Sequence, residues 1–532
     1  MDEADYIIIG GGPAGAALAA RLAAAAVAPK IILVEAGGRR PSLLSRIPAG
    51  IALRVPLRNR ENYALQTLPQ PGLNGRRGYV PRGRGLGGSS LINAMIYVRG
   101  QPEDYDHWAS LGCTGWSFAE VLPLFRRAEA NRRGSDAWHG AEGPLAVADP
   151  ASPSPVSRDF IRAARACGLR ENADFNGPDQ EGVGFYQVLQ KDGRRLDAAR
   201  AYLGDPPYPA HLQVLTETRA SRIVLADGRA TGVIVEGPAG QRALKARREV
   251  ILCGGAIASP QLLMLSGIGP AAHLAGLGIP VIRDLPAVGE NLQDHLDYTL
   301  NAAMRGQGLL GYTPAVLGEI LRGALPYLRH GTGILSSNVA EAGGFIRSSP
   351  MADRPDLQLH FCTGLVDDHG RRFHAATGIA LHVCVLRPQS RGRVRLAAAD
   401  PRRPVEIDPR FLSAPADLDL LVAGVRMVHR ILAAEPLARH HGRILHPVDV
   451  ADEEALRAMI RARADTIYHP VGTCRMGADP ASVVDPQLRV RGIAGLRVAD
   501  ASIMPTLVSG NTQAPTVMIG EKAADLVLQA GS

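Results

Sequence analysis

The sequence predicts an α/β protein in which a Rossmann-type dinucleotide-binding domain is interleaved with an α+β domain carrying an antiparallel sheet. Three observations predict it. The chain opens on Tyr6-Ile-Ile-Ile-Gly10-Gly11-Gly12-Pro13-Ala14-Gly15, an apolar run that meets a glycine cluster and then an alanine-rich segment to Ala26. Its middle, from about Leu300 to Arg443, carries strand segments with a period of two, the mark of an antiparallel sheet. Its end, Thr466 to Gln529, regains the strand-then-helix character of the beginning. At 532 residues the chain can bury a large core and form two domains.

Ile7 to Ile9 read as a buried strand and Ala14 to Ala26 as a helix. Gly10, Gly12 and Gly15 supply the G-x-G-x-x-G pattern. The first glycine makes a tight turn, the second lets backbone approach a pyrophosphate, and the third lets helix and strand pack closely. Amides at the helix N-terminus then face the phosphates. A second apolar strand, Ile31 to Val34, ends in Glu35. Its carboxylate lies about 20 residues past Gly15, where it can take both hydroxyls of an adenosine ribose and disfavours a 2′-phosphate. Glycine turns are common in a chain with 59 glycines; the order of strand, glycines, helix, strand and acid is what makes the signal specific. Whether the dinucleotide is FAD or NAD this stretch leaves open.

Arg39 to Arg82 is loop-rich, with many prolines and Asn74-Gly75, as expected of a long excursion over a ligand. Gly83 to Tyr97 places four glycines and two serines before an apolar run, a second place where amides and hydroxyls can surround phosphate or an aromatic ring. Trp108 to Glu129 reads as helical, with Trp108, Leu111, Trp116, Val121, Leu122 and Phe125 as core. From Pro150 to Asp197 the Rossmann character is lost, and Gly182, Gly184 and Phe185-Tyr186 suggest a strand of the other domain. Leu212–Leu215, Arg222–Leu225 and Ala230–Glu236 are short strands with a turn at Asp227-Gly228. Val250 to Cys253 is a buried parallel strand, and Ser259-Pro260 opens a helix with proline in its first turn. Leu357–Phe361, Ile379–Leu386 and Gly392–Leu396 are strands of the antiparallel sheet, Leu496 to Asp500 is a strand, and Ala514 to Leu528 is a helix beside the first motif. The expected dinucleotide domain spans 1–155, 201–299 and 461–532, and the second domain 156–200 and 300–460.

The net charge of +8 would suit an anionic partner, yet the basic residues are scattered and only four are lysine, which reads as composition rather than a nucleic-acid face. Cys113, Cys167, Cys253, Cys362, Cys384 and Cys474 show neither C-x-x-C pairs nor ligand spacing and read as core thiols of a reducing compartment. His440-His441 has no carboxylate at metal-ligand spacing and is expected to be exposed; no metal site is expected. Met1-Asp2-Glu3 leads straight into a strand, without the basic and apolar regions of a secretion signal. No uninterrupted apolar span reaches about 18 residues. A cytoplasmic protein, with peripheral membrane contact left open, is the expectation.

With these segments in view, the chain resembles the glucose–methanol–choline family of FAD-dependent oxidoreductases over essentially its full length. Gly83 to Asp106 is similar to one family signature and Gly255-Ala-Ile-Ala-Ser259-Pro260 through Gly269 to the other. Tyr468-His469-Pro470-Val-Gly472 through Gly477, Asp500 to Pro505 and Gly510-Asn511-Thr512 through Thr516 resemble the catalytic end. Phe175-Asn-Gly177, Gly182 to Gln187, Ser337 to Phe345 and Asp367 to Gly370 resemble the choline-dehydrogenase-like branch, in particular medium-chain aliphatic alcohol dehydrogenases. The resemblance resolves the dinucleotide as FAD and the second domain as the substrate domain. It implies that His469 takes the hydroxyl proton of an alcohol while flavin N5 takes the hydride, and that Asn511 holds the alcohol oxygen. Imidazole suits the base because its ordinary pKa lies near neutrality.

By the same resemblance Gly10, Gly12, Pro13, Ala14, Gly15, Glu35 and Ala36 hold the adenosine and pyrophosphate, with Gly87, Gly88 and Ser89 near the pyrophosphate. Asn93 and Ala94 lie beside the isoalloxazine, the backbone of Ala220 at the adenine, and Asp500 and Ala501 near the ribityl and phosphate. Asn511 and Thr512 begin a last helix whose N-terminus favours anionic reduced flavin by about 1 kcal/mol. The residue before Asn93 is Ile92, which offers no nucleophile, so FAD is expected to be non-covalent. Glu341 is the candidate substrate-pocket acid: choline-using relatives place a carboxylate there, but Ala340-Glu341-Ala342 also occurs in relatives with uncharged substrates. The expected reaction is oxidation of an aliphatic or benzylic primary alcohol to the aldehyde, with a quinone or other carrier taking the electrons. An O₂-using oxidase, a choline dehydrogenase and, more remotely, a flavin-dependent lyase are the alternatives.

Overall fold

A computed structural model describes residues 2–39 and 41–531. Its first sheet is built on the strand Glu3–Ile9, which lies between two parallel neighbours: Ile31–Val34 on one side and Gly240–Leu252 on the other. Leu212–Leu215 adds outside Ile31–Val34, and Leu496–Val498 pairs with Val250 to Leu252, both in parallel. Tyr6 to Ile9 and Ile31 to Val34 are buried because parallel strands are covered on both faces. Pro13–Ala23 is the crossover helix, and Gln513–Gly531 packs against it. A Cβ on Gly520 would stand 2.4 Å from the Ala14 carbonyl oxygen, so this close helix contact requires glycine.

Val250 to Cys253 proves to be the tail of a longer element. Gly240–Leu252 is one strand of 13 residues, whose first half closes an antiparallel meander with Arg219–Ala226 and Arg229–Gly237. The helix expected to open at Ser259-Pro260 runs instead from Gly255 to Leu265, with Pro260 inside it. Gly255, at φ +77°, turns the chain out of the strand. Proline cannot donate to the carbonyl four residues back, and that carbonyl, on Ala256, accepts the Thr473 hydroxyl at 2.7 Å. Trp108 to Glu129 is likewise two helices, Pro102–Ser110 and Phe118–Ala128, and Leu111, expected in the core, lies 46% exposed after the first of them.

The second sheet has the order His441–Ile444, Leu296–Met304, Gly378–Val385, Leu357–Cys362, Ala340–Ile346, Gly182–Phe185, all antiparallel. Asp465–Thr466 pairs with Leu296 and Asp297. The boundary expected at 299/300 therefore falls inside a strand, and the one expected at 460/461 falls inside the helix Glu453–Arg463, just before the pair Asp465–Thr466 joins this sheet. Gly392–Arg395, expected here, belongs to a separate three-stranded sheet with Glu290–Leu292 and Glu406–Asp408. The period-two pattern does not leave a wet face, since the central strands are buried on both sides. One side packs on the helix Pro415–Ala433, where a Cβ on Gly424 would meet Val383 at 2.6 Å. The other side turns Ala340, His360, Cys362 and His382 into a cavity between the two sheets.

Five cysteines are buried and Cys167 is partly so, all of them free. His440 departs from the expectation of an exposed, partnerless ring: it is half-buried, with Nε2 2.6 Å from Asp159 on the helix Pro155–Ala166, a partner brought in from 281 residues away. The side chain of His441 lies outside the described residues.

Candidate active site

The cavity has a volume of about 1560 Å³ and runs from the first glycine motif to His469. Its dinucleotide end is built by two glycine loops face to face. Gly87 donates its N–H to the Gly11 carbonyl at 2.8 Å, and a Cβ on Gly88 would stand 2.8 Å from Gly12 Cα. Gly10 is at φ +109°, and a Cβ on it would stand 2.4 Å from the Cys253 carbonyl oxygen. A Cβ on Gly15 would stand 1.9 Å from the Gly10 carbonyl oxygen. Gly12 differs, because its nearest obstacle would be Gly88 Cα at 3.9 Å, on the cavity wall. Two glycines thus serve close packing, and the third leaves the open approach a pyrophosphate needs at a helix N-terminus.

Glu35 is 7% exposed and joins three segments: its carboxylate accepts the N–H groups of Gly11 at 2.9 Å, Gly37 at 2.7 Å and Gly85 at 3.1 Å. Burial pushes its pKa up, against those three bonds. Asp500 joins the opposite wall, accepting from Gly255 N–H at 2.8 Å, the Ser259 hydroxyl at 2.5 Å and Ser502 N–H at 2.8 Å. Pro13, Ala14, Ala36, Ala220 and Ala501 line the same space. Ser89, Asn93 and Ala94 carry the wall toward the catalytic end, and Thr512 stands at the start of the helix Gln513–Gly531. Asn93 is held from both sides, with its amide nitrogen on Gln513 and its oxygen taking Arg195 at 2.9 Å and Met95 N–H at 3.1 Å. Gly15 and Gly87 shape the loops without lining the cavity. The open glycine, the paired loops and the ribose-side acid fit a dinucleotide.

His469 follows Tyr468, whose φ of +77° is a strained conformation for a residue with a side chain. The ring is 8% exposed. Its Nδ1 lies 2.9 Å from Nδ1 of His295, and Nε2 of His295 lies 3.0 Å from the Leu386 carbonyl. A carbonyl only accepts, so His295 carries its hydrogen on Nε2. Burial draws the His295 pKa down to about 4, so the ring is neutral and its Nδ1 is a lone pair. The hydrogen between the two rings therefore belongs to His469, which leaves the His469 lone pair on Nε2, facing the cavity. Burial, and after it the crowding of the His295 and His360 rings and the Arg82 guanidinium, holds the His469 pKa well below its ordinary value. Asn511 Nδ2 lies 3.2 Å from that lone pair, and its Oδ1 accepts from Gln358 Nε2 at 3.0 Å, which orients the amide. The His469 backbone N–H donates to Asp294 at 2.7 Å.

Glu341, expected at the substrate pocket, does not line the cavity. It is 1% exposed, and its carboxylate accepts Ser154 N–H and the Ser157 hydroxyl, both at 2.7 Å, and the Ser337 hydroxyl at 2.6 Å. Its place on a strand turns it toward the helix Pro155–Ala166, away from the ligand face. Sequence reasoning missed His295, Gln358 and His360. His360 lines the cavity beside Asn511, is 3% exposed, and has its pKa lowered to about 3, chiefly by burial. Gln358 and His360 sit inside an apolar strand, where only the pleat tells which face they take.

Two family models described as GMC oxidoreductase match residues 4–297 and 388–520. The chain belongs to the GMC oxidoreductase family. It is 46% identical over 529 residues to an alcohol dehydrogenase [acceptor] of Pseudomonas putida, covering 99% of this chain and 96% of that one. It is 42% identical over 537 residues to the mitochondrial choline dehydrogenase of Homo sapiens, covering 99% and 90%. A structure of Aspergillus oryzae RIB40 formate oxidase, concerned with modification of its FAD, superimposes with a TM-score of 0.91 at 25% identity, covering 99% of this chain and 98% of that one. As a GMC oxidoreductase, the protein is an FAD-dependent enzyme acting on alcohol CH–OH donors. Among the described residues no helix is long and apolar enough to cross a membrane.

Proposed function

We propose that this GMC oxidoreductase oxidises neutral primary alcohols, aliphatic or benzylic, to the aldehyde, with His469 as the base and Asn511 holding the alcohol oxygen. The observation that carries the reading is a neutral imidazole lone pair at one end of a cavity whose adjoining wall is apolar. Leu310, Val316, Ile320, Leu335 and Val339 line that wall. The carboxylates that line the cavity are Glu35, Glu406 and Asp500 among the described residues. Glu35 and Asp500 belong to the dinucleotide walls, and Glu406 is exposed on the strand Glu406–Asp408. Tyr63, Tyr312 and Tyr468 are its aromatic side chains, fewer than a cage of ring faces and a buried acid would supply for a quaternary ammonium.

His469 Nε2 accepts the hydroxyl proton, and burial keeps that nitrogen unprotonated beforehand. Asn511 Nδ2 turns from the ring to the alcohol oxygen and holds it as negative charge grows there, while Gln358 keeps the amide in place. Bound FAD supplies the acceptor for the two electrons and the hydrogen of the carbinol carbon. Asn93 and the start of the helix Gln513–Gly531 would hold the flavin ring, non-covalently. A quinone-like carrier is the proposed final acceptor.

An anaerobic screen of ethanol, butanol, octanol, benzyl alcohol and choline for loss of flavin absorbance tests the substrate class. Each buried methylene contributes about 0.8 kcal/mol, so kcat/KM should rise with chain length until the wall is covered. Choline as the best substrate, or no dependence on chain length, would overturn the reading. Peroxide formed in step with substrate would replace the quinone by O₂, and no bleaching by any alcohol would return the lyase alternative.

A further inference from the structure

We propose that the rim of the cavity is a docking face for an anionic phospholipid surface, seated on one stripe of the helix Pro314–His330. Leu317, Leu321, Leu325 and Leu328 follow at intervals of four, four and three, so they share one face of this helix. They are 58%, 68%, 54% and 67% exposed, while Val316 and Tyr327 on the opposite side are buried. A run of exposed leucines on a folded surface marks something that covers it.

The stripe is not isolated. Among the described residues there are fifteen exposed large apolar side chains, and ten are at this rim: four from 43–57, five from 312–328, and Phe373. The three segments meet there. The helix packs on the turn Ile334–Ser336, which packs on the turn Pro48–Gly50. A Cβ on Gly370 would touch Pro56 at 3.2 Å, and the rings of Tyr312 and Phe373 stand 4.6 Å apart. Leu44, Leu53, Tyr312 and Leu317 are exposed and also line the cavity, so these apolar side chains belong both to the outer surface and to the cavity wall.

Charge selects the occupant. Arg58 and Arg372 line the mouth, Arg322 and Arg329 lie on the helix, and all four are exposed; the one acid of the helix is the half-buried Glu319. A second copy of the chain, docked through this face by a two-fold axis, would set these arginines against each other. Anionic headgroups around an apolar interior match both features, the leucines entering the acyl boundary and the guanidinium groups meeting phosphate. An apolar alcohol dissolved in the bilayer would then reach the cavity without crossing water.

Sedimentation of the FAD-loaded enzyme with phosphatidylcholine vesicles, with and without phosphatidylglycerol, tests this by binding alone. Wild type should sediment with the phosphatidylglycerol vesicles. Leu321→Ser/Leu325→Ser/Leu328→Ser should partition at least about tenfold less while keeping bound FAD, and Arg322→Glu/Arg329→Glu should lose the preference for anionic vesicles. A reporter that keeps the surface apolar, Leu325→Trp, should be quenched by brominated acyl chains. The proposal is overturned if wild type sediments with neither vesicle, if the triple leucine variant binds as well as wild type, or if the reporter is not quenched. It is equally overturned if sedimentation velocity shows the leucine variant dissociating an oligomer that does not bind vesicles.

Discussion

Which His469 nitrogen offers its lone pair to the cavity depends on a carbonyl two hydrogen bonds away. The chain from the Leu386 carbonyl through His295 to His469 settles which nitrogen is bare, and the Gln358 bond settles which end of the Asn511 amide faces it. His469→Ala should retain FAD and slow flavin reduction by roughly 10²-fold or more in stopped-flow measurements; a near wild-type rate would remove His469 from its role. His295→Leu removes the acceptor that holds the hydrogen on Nδ1. Reduction should slow by about 10-fold to 100-fold, as for partners that orient a reactive imidazole, with little change in KM and a displaced pH profile. The sign of the pH dependence follows from burial: with its pKa held well below 6.5, His469 stays neutral as pH falls through that value. The acid limb of the reduction rate should therefore lie well below pH 6.5, and a limb at or above 6.5 would contradict the buried, unprotonated ring. Glu35→Ala leaves three N–H groups without their acceptor and should weaken FAD retention on gel filtration while the loaded fraction reacts normally.

At the scale of elements, proline inside the helix Gly255–Leu265 is tolerated because another segment completes it. Thr473→Val keeps the shape but leaves the Ala256 carbonyl unpaired, at a cost of about 1–3 kcal/mol in urea unfolding. Thr473 lies four residues past His469, so the same bond ties the His469 turn to the dinucleotide wall. The strands Leu296–Met304 and Gly378–Val385 are joined by a second polar pair, with His382 Nδ1 2.7 Å from Asp297. Burial lowers the His382 pKa, but the Asp297 charge outweighs it and raises it to about 10. Because the folded value is the higher one, this contribution is present in full below about pH 6.5 and is lost as pH rises through about 10. The stability gap between wild type and His382→Gln should accordingly be wide at pH 6 and narrow at pH 10. A gap independent of pH would show that the ring acts by packing alone.

In the whole molecule, the two sheets are separate layers whose shared boundary is the cavity, and neither holds the site alone. The dinucleotide walls come from the parallel sheet and its glycine loops, His360 from the antiparallel sheet, and His469 and Asn511 from the segments that return between them. Non-covalent FAD is expected because Ile92 stands before Asn93 and Asn93 itself is held by Arg195, Met95 and Gln513. Acid precipitation should leave the yellow colour in the supernatant; a yellow pellet would show a covalent link.

Sequence by itself determined the dinucleotide fold, the tight turn at Gly10, the close packing at Gly15, and the place of Glu35 at the end of the second strand. These are local: each depends on residues within a turn or on a contiguous motif, so the pattern carries the geometry. Only the tertiary structure decided the rest. Glu341 was the candidate pocket acid because its neighbours matched a motif, yet the pleat turns it to the start of the helix Pro155–Ala166, where Ser154 N–H and the Ser157 hydroxyl, together with the nearby Ser337 hydroxyl, hold its carboxylate. Leu111 and Pro260 obeyed their propensities less than their surroundings. His295 and Gln358 gained their importance from partners 174 and 153 residues away, and a tautomer or an amide orientation is set by such contacts, which no spacing along the chain encodes.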